Sequence, residues 1–334
     1  MHVHRLIAWA LAIGLLSIGL PVTSFAQMKW YKFSKDFIDA SFAPDSAIGT
    51  LKATNSHAAQ SVHSVNCGGN DGELHVGIAG DEISWNNLQQ LPTSAPADDN
   101  DEFGIVVEPV NVASSTKTMI ANSAGHQATF IGYFRVWNEG HDSGNDAPSN
   151  PHHVVELHPA WGFESGQSHF DKPSSIFAMP GYHGYGATKF KVMFQSAVDD
   201  EWPKVYEDND FVYVQIAKAE NFYQLPVRVK SVSSISGGKQ AQVDVYSAGN
   251  HQKLVYKNLS VIALNGTEVV DKLVAGKNMF LLGIFSVNLR KAMALASGVP
   301  SETEAVYAPA AVEFFAYGVP KGKAVVSSSS SLCN

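Results

Sequence analysis

The sequence predicts an all-β protein in which a small antiparallel barrel is followed by a second antiparallel β-sandwich or barrel domain. Three observations carry this reading. Short apolar runs alternate with turn-rich stretches from Ile48 to Phe163, the signature of short strands in a small barrel or sandwich. A second series of such runs follows, from Phe190 to Val287. Only one stretch, Leu289–Ala296, has convincing helical spacing before a terminating Gly298. The chain has 334 residues, of which 45% are hydrophobic and 16% charged. That length suits two domains with real cores. The apolar fraction excludes a disordered chain, and 31 acids against 23 bases exclude a basic nucleic-acid binder by composition.

Taken in order, residues 1–26 read as a signal peptide. Met1–Arg5 is the charged start, Leu6–Leu20 the apolar run, and Ser24-Phe25-Ala26 the small-residue cleavage site. The run is shorter than the about 20 apolar residues that span a bilayer. The expected location is secreted or periplasmic, with no transmembrane segment after cleavage. Residues 27–45 form an aromatic-rich N-terminal arm. Residues 46–165 form the first barrel, with strands around Leu74–Ile78, Ile105–Val107, Ala128–Val136 and His153–Leu157. Residues 166–188 are a linker loop within the Gly/Ser/Pro-rich stretch Glu164–Ala187. Residues 189–320 form the second β domain, with strands at Phe190–Phe194, Phe211–Ala217, Leu225–Lys230, Ala241–Tyr246, Leu254–Leu264 and Phe280–Val287. Ser236-Gly237-Gly238 is a turn, and Asn265-Gly266 signals a hairpin. Residues 321–334 are a Ser-rich tail. No repeat of fixed period is visible. Cys67 and Cys333 make an even pair, which in an oxidising compartment predicts one disulfide.

The histidines and acids are unevenly spread. Ten of the 13 histidines lie between His57 and His183. From Asn70 to Ser165 there are 14 acids against two bases, Lys117 and Arg135, a local charge of −12. Two patterns stand out there, Asp71-Gly72-Glu73-Leu74-His75 and His152-His153-Val154-Val155-Glu156-Leu157-His158-Pro159. In a strand, Glu73 and His75 share one face, as do Glu156 and His158. If the two strands are neighbours, Glu73, His75, Glu156 and His158 converge as metal ligands. Imidazole and carboxylate suit zinc, iron, copper, nickel or manganese. His141 and His153 are then the candidate general bases. The competing interpretation is a structural polar network, in which a buried carboxylate fixes a histidine tautomer.

These patterns resemble a set of uncharacterised secreted bacterial proteins that carry DGDxH and, later, FxxxHG and IELHPV motifs. The matching residues are Asp71, Gly72, Glu73 and His75, then Gly132, Phe134 and His141, then Glu156, Leu157, His158 and Pro159. Glu73 stands where Asp is usual, and Glu139-Gly140-His141-Asp142 where His-Gly is usual. The resemblance covers roughly residues 48–163. It implies an oligonucleotide/oligosaccharide-binding (OB)-like barrel for that stretch.

Three functions follow from these expectations. The first is a ligand-binding module for a glycan or other extracellular ligand, with Trp85, Tyr182 and Tyr185 stacking on sugar rings. The −12 block disfavours direct nucleic-acid binding, because phosphates need Lys and Arg. The second is a metal-dependent hydrolase that uses the Glu/His cluster and a divalent transition metal. The third is a structural cell-surface interaction protein. No Gly-x-Ser-x-Gly elbow or phosphate loop is present.

Overall fold

The computed structural model describes residues 28–41, 48–58, 74–85, 105–109, 114–138, 153–166, 168–171, 202–217, 223–247 and 253–319. Residues 1–26, Phe190–Phe194, residues 321–334 and both cysteines lie outside these, and with them the expected signal peptide, one expected strand, the tail and the disulfide.

The chain opens with β1 (Met28–Ser34) and α1 (Lys35–Ser41), followed by β2 (Ile48–Ala58), β3 (Val76–Trp85) and β4 (Ile105–Pro109). Then come α2 (Ser114–Ala121), β5 (Gln127–Val136), β6 (Val155–Ser165) and β7 (Ser168–Asp171). β8 (Lys204–Asp208) and β9 (Phe211–Ala217) precede β10 (Tyr223–Ile235), β11 (Gly238–Tyr246) and β12 (Leu254–Leu264). The described chain closes with α3 (Glu268–Lys272), β13 (Asn278–Val287), α4 (Leu289–Ala296), β14 (Val306–Tyr307) and β15 (Val312–Gly318).

The protein is all-β in architecture, as expected. In the first block β2 pairs with β3, β3 with β4, β4 with β6, β6 with β5, and β5 with β2. These five ladders close a ring, and β7 adds a strand on the outer edge of β6. In the second block β10, β11, β12, β15 and β13 close a barrel in the same connection order. One ladder in each ring is parallel, β4 with β6 and β12 with β15. Each ring also places a helix, α2 or α3, between its third and fourth strands. This is the five-stranded arrangement of an OB-like barrel, and the chain contains it twice.

The N-terminal arm is more ordered than its composition suggests. β1 pairs along its full length with β9, which pairs with β8, and β8 with β14. Tyr31 and Phe33 of β1 and Val212, Val214 and Ile216 of β9 turn inward and are fully buried. α4 packs on this sheet through Leu289, Ala292 and Ala296, the i, i+3, i+7 face of the helix. Its first turn is capped by the Asn288 side chain, which accepts from the Lys291 N–H at 2.9 Å. Gly298, at φ 80°, ends it. The helix boundaries match the sequence reading.

Two local expectations are corrected. Asn265-Gly266 does not close a hairpin. The turn, with Gly266 at φ 87°, leads into α3, and β12 pairs with β11 and β15 instead. Thr267 stabilises that turn by donating its hydroxyl to the Leu264 carbonyl at 2.8 Å. β7 lies inside the stretch read as a linker, because its four residues find a hydrogen-bonding edge on β6.

Gly132 on β5 and Gly283 on β13 both sit where the ladder register shifts. A Cβ at Gly283 would lie 2.1 Å from the Phe315 carbonyl oxygen, and one at Gly132 2.7 Å from the Pro159 carbonyl oxygen. Backbone cannot yield as a flexible side chain does. Gly283→Ala is therefore expected to destabilise the protein by about 1–3 kcal/mol, read from urea unfolding. Gly276→Ala is the companion control. Gly276 has open space around its missing Cβ but φ 84°, so only a backbone cost applies there.

Candidate metal centre

The outer faces of β4, β5 and β6 hold a cluster of charged side chains removed from water. Glu108, Arg135, Glu156 and His158 are at most 1% exposed, His153 is 3% and His75 6%. The register explains the convergence. Val76 of β3 pairs with Val107 of β4, so the next residues outward, His75 and Glu108, lie side by side. The β4–β6 ladder sets Val107 against Leu157, which brings Glu108 next to His158. The β5–β6 ladder sets Arg135 directly opposite Glu156. Trp137 N–H donates to the Val154 carbonyl at 3.0 Å, which brings His153 to the same end.

β3 and β6 are not neighbours, as the sequence reading supposed. β4 lies between them and supplies Glu108, a carboxylate the reading did not include. Arg135 was not included either. Both had a signal in the sequence. Glu108 is the one charge in the apolar run Ile105–Val110, and Arg135 the one cation in the run Ala128–Trp137. A charge that interrupts a buried strand must find a partner.

Each glutamate presents its two oxygens to different partners. Glu156 Oε1 takes the Arg135 Nη1 hydrogen bond at 2.6 Å and lies 3.4 Å from His158 Nδ1. Its Oε2 lies 3.5 Å from His153 Nε2. Glu108 Oε2 lies 2.6 Å from His158 Nδ1, while its Oε1 faces His75 Nε2 at 3.4 Å and His153 Nε2 at 3.9 Å. Arg135 and His158 thus anchor one side of the carboxylate pair. The other side turns toward His153 and His75. One ligand atom from each of Glu108, His153 and Glu156 lies within 4.8 Å of the others.

The electrostatics follow from burial against charge. Burial by itself would raise the Glu156 pKa. The Arg135 and His158 charges and hydrogen bonds from His153 and His158 outweigh it and hold the carboxyl well below its ordinary value. Burial would likewise lower His158, but Glu108 and Glu156 hold its imidazolium well above the ordinary histidine value.

His75, Glu156 and His158, expected as ligands, lie together here with His153, expected as a base. The group with metal-holding spacing is Glu108, His153 and Glu156, so of the expected ligands only Glu156 belongs to it. Glu73, His141, Tyr182 and Tyr185 lie outside the described residues, as does the side chain of Trp85, whose backbone ends β3. No family model matches the chain, and no curated protein matches it. Among solved structures, a murine DNA-binding protein bound to double-stranded DNA aligns over 81% of this chain and 98% of its own. The identity is 11% and the TM-score 0.17, too low to inform fold or function.

Two outcomes test this geometry. Arg135→Met leaves Glu156 buried and uncompensated and is expected to cost about 3–5 kcal/mol in chemical denaturation. In chelator-treated protein, the lowered Glu156 pKa contributes stability above 4.5 that is lost as pH falls through the folded value. The raised His158 pKa contributes stability below 6.5 that is lost as pH rises through the folded value. Stability is therefore expected to peak between these limits, and His158→Asn to flatten the alkaline decline.

Proposed function

We propose that this is an exported protein whose first barrel binds a divalent transition metal through Glu108, His153 and Glu156. The observation that supports this reading is the sorting of carboxylate oxygens. Ligands about 2.0–2.2 Å from a tetrahedral ion are about 3.4 Å apart. The His153 Nε2 separations from the two inward carboxylate oxygens, 3.5 and 3.9 Å, are close to that spacing. The outward oxygens are held by Arg135 and His158, as hydrogen-bonded outer groups orient ligating carboxylates in metal sites. A mixed imidazole–carboxylate set favours zinc, iron or manganese over the soft-ligand metals.

This reading takes precedence over glycan stacking, which rests on Trp85, Tyr182 and Tyr185. Metal-assisted hydrolysis is the second reading. Three protein donors leave a coordination position open, as catalytic zinc sites do, and His75 stands beside Glu108 as a base. Export rests on the layout of residues 1–26 and extends to the proposed Cys67–Cys333 disulfide.

Elemental analysis of the purified protein is expected to find one equivalent of transition metal. His153→Ala and Glu108→Gln should each lower the affinity at least tenfold by chelator competition. A metal-free protein that also fails to take up added zinc would overturn the proposal. Mass spectrometry of the exported chain should place its first residue at Gln27, and thiol titration should find no free cysteine.

A further inference from the structure

The two barrels share more than connection order. Their ladders can be superposed residue by residue. Glu156 pairs with Arg135 and stands beside Val106, and Glu313 pairs with Ser286 and stands beside Ser260. Three residues before Arg135 and Ser286 lie Gly132 and Gly283, the two glycines at a register shift. The fourth strands then read Gly132-x-Phe134-x-Val136 and Gly283-x-Phe285-x-Val287. The fifth read Val155-Glu156-Leu157, then Ala160-Trp161-Gly162, and Val312-Glu313-Phe314, then Ala316-Tyr317-Gly318. The first copy has one residue more between these triplets, His158-Pro159 against Phe315.

The same superposition shows what became of the site. Only the glutamate recurs. Glu108 corresponds to Ile262, His158 to Phe315 and Arg135 to Ser286. Glu313 is neutralised by Lys291 Nζ at 2.6 Å, from α4. Ile262 and Phe315 belong instead to an apolar patch that receives Tyr133 and Trp161 of the first barrel. The Phe315 ring stacks on Tyr133 with centroids 4.3 Å apart.

The contact centres on the equivalent pair Arg135 and Ser286. Arg135 Nε donates to the Phe285 carbonyl at 2.8 Å, and the Val136 N–H donates to Ser286 Oγ at 3.0 Å. Each residue thus reaches a chain neighbour of its counterpart, Phe285 for Arg135 and Val136 for Ser286. Arg135 holds Glu156 with one nitrogen and the second barrel with another.

We propose that the second barrel is a duplicate of the first that has exchanged its ligand residues for a docking surface and now positions Arg135, and through it Glu156, for metal binding. The inference rests on the proposed metal site. Ser286 is its positioning residue, and its side chain bonds to Val136 and Tyr133.

The test is cobalt(II) titration of the full chain, following both affinity and the visible ligand-field spectrum. Ser286→Ala is expected to weaken cobalt binding about 10–100-fold, the range for groups that orient ligands, with an altered spectrum. Ser286→Thr, which keeps the hydroxyl, should restore both. Phe315→Leu loosens the docking surface without touching the hydrogen bonds and should weaken binding in the same direction, which covers the case of a poorly folded Ser286→Ala. Hydrogen exchange at β13 should slow on cobalt binding, since coupling is reciprocal. Wild-type affinity and spectrum in both Ser286→Ala and Phe315→Leu would overturn the inference and leave the metal site standing. A wild-type protein that takes up no cobalt would overturn both.

Discussion

The buried pairing of Arg135 with Glu156 is the constraint around which the rest of the structure is arranged. A lone carboxylate in a dry interior is costly enough to take up a proton instead. Here a guanidinium placed directly across the ladder removes that option, and His158 adds a second positive charge against Glu108 and Glu156. Two acids and two cations nearly neutralise one another, and only such a set can be covered by another domain.

That covering makes the protein a single structure rather than two barrels on a string. The outer face of a small barrel is ordinarily wet. In this chain the outer faces of β5 and β6 meet the outer faces of β13 and β15, with Tyr133, Trp161 and Phe315 stacked between them. Trp137 continues the contact onto Phe285 and Trp202. One hydrophobic cluster runs from β1 through both barrels to α4, and Tyr133, Trp161 and Phe315 belong to a second one beside it.

Much of the fold was legible locally. β9 and β12 begin and end where their apolar runs do, and α4 matches its periodic residues. In β9 and α4 the buried positions recur at the strand and helix periods, while Leu259–Leu264 of β12 is an apolar run buried throughout, with Ser260 as its one polar member. β15 escapes a sequence reading because a strand buried on both sides, such as Val312–Gly318, has no alternation to read, and β8 because only one of its five residues, Val205, is buried. The Asn265-Gly266 turn has hairpin chemistry, but the parallel ladder of a closed ring requires a crossover there. The repeat was invisible for a similar reason. It survives as a few glycines, a glutamate and a register, spread over strands of unequal length.

The sequence by itself determined the all-β class, the concentration of acids and histidines in the first half, and the shared strand face of Glu156 and His158. Those properties depend on composition and on a period of two residues, which any reader of the chain can count. Only the tertiary structure decided that Glu108 and Arg135 complete the group, that β4 stands between the two motifs, and that a second barrel seals the face. Those facts depend on strand order and register, which are set by ring closure and by burial between distant segments, and no local pattern encodes them.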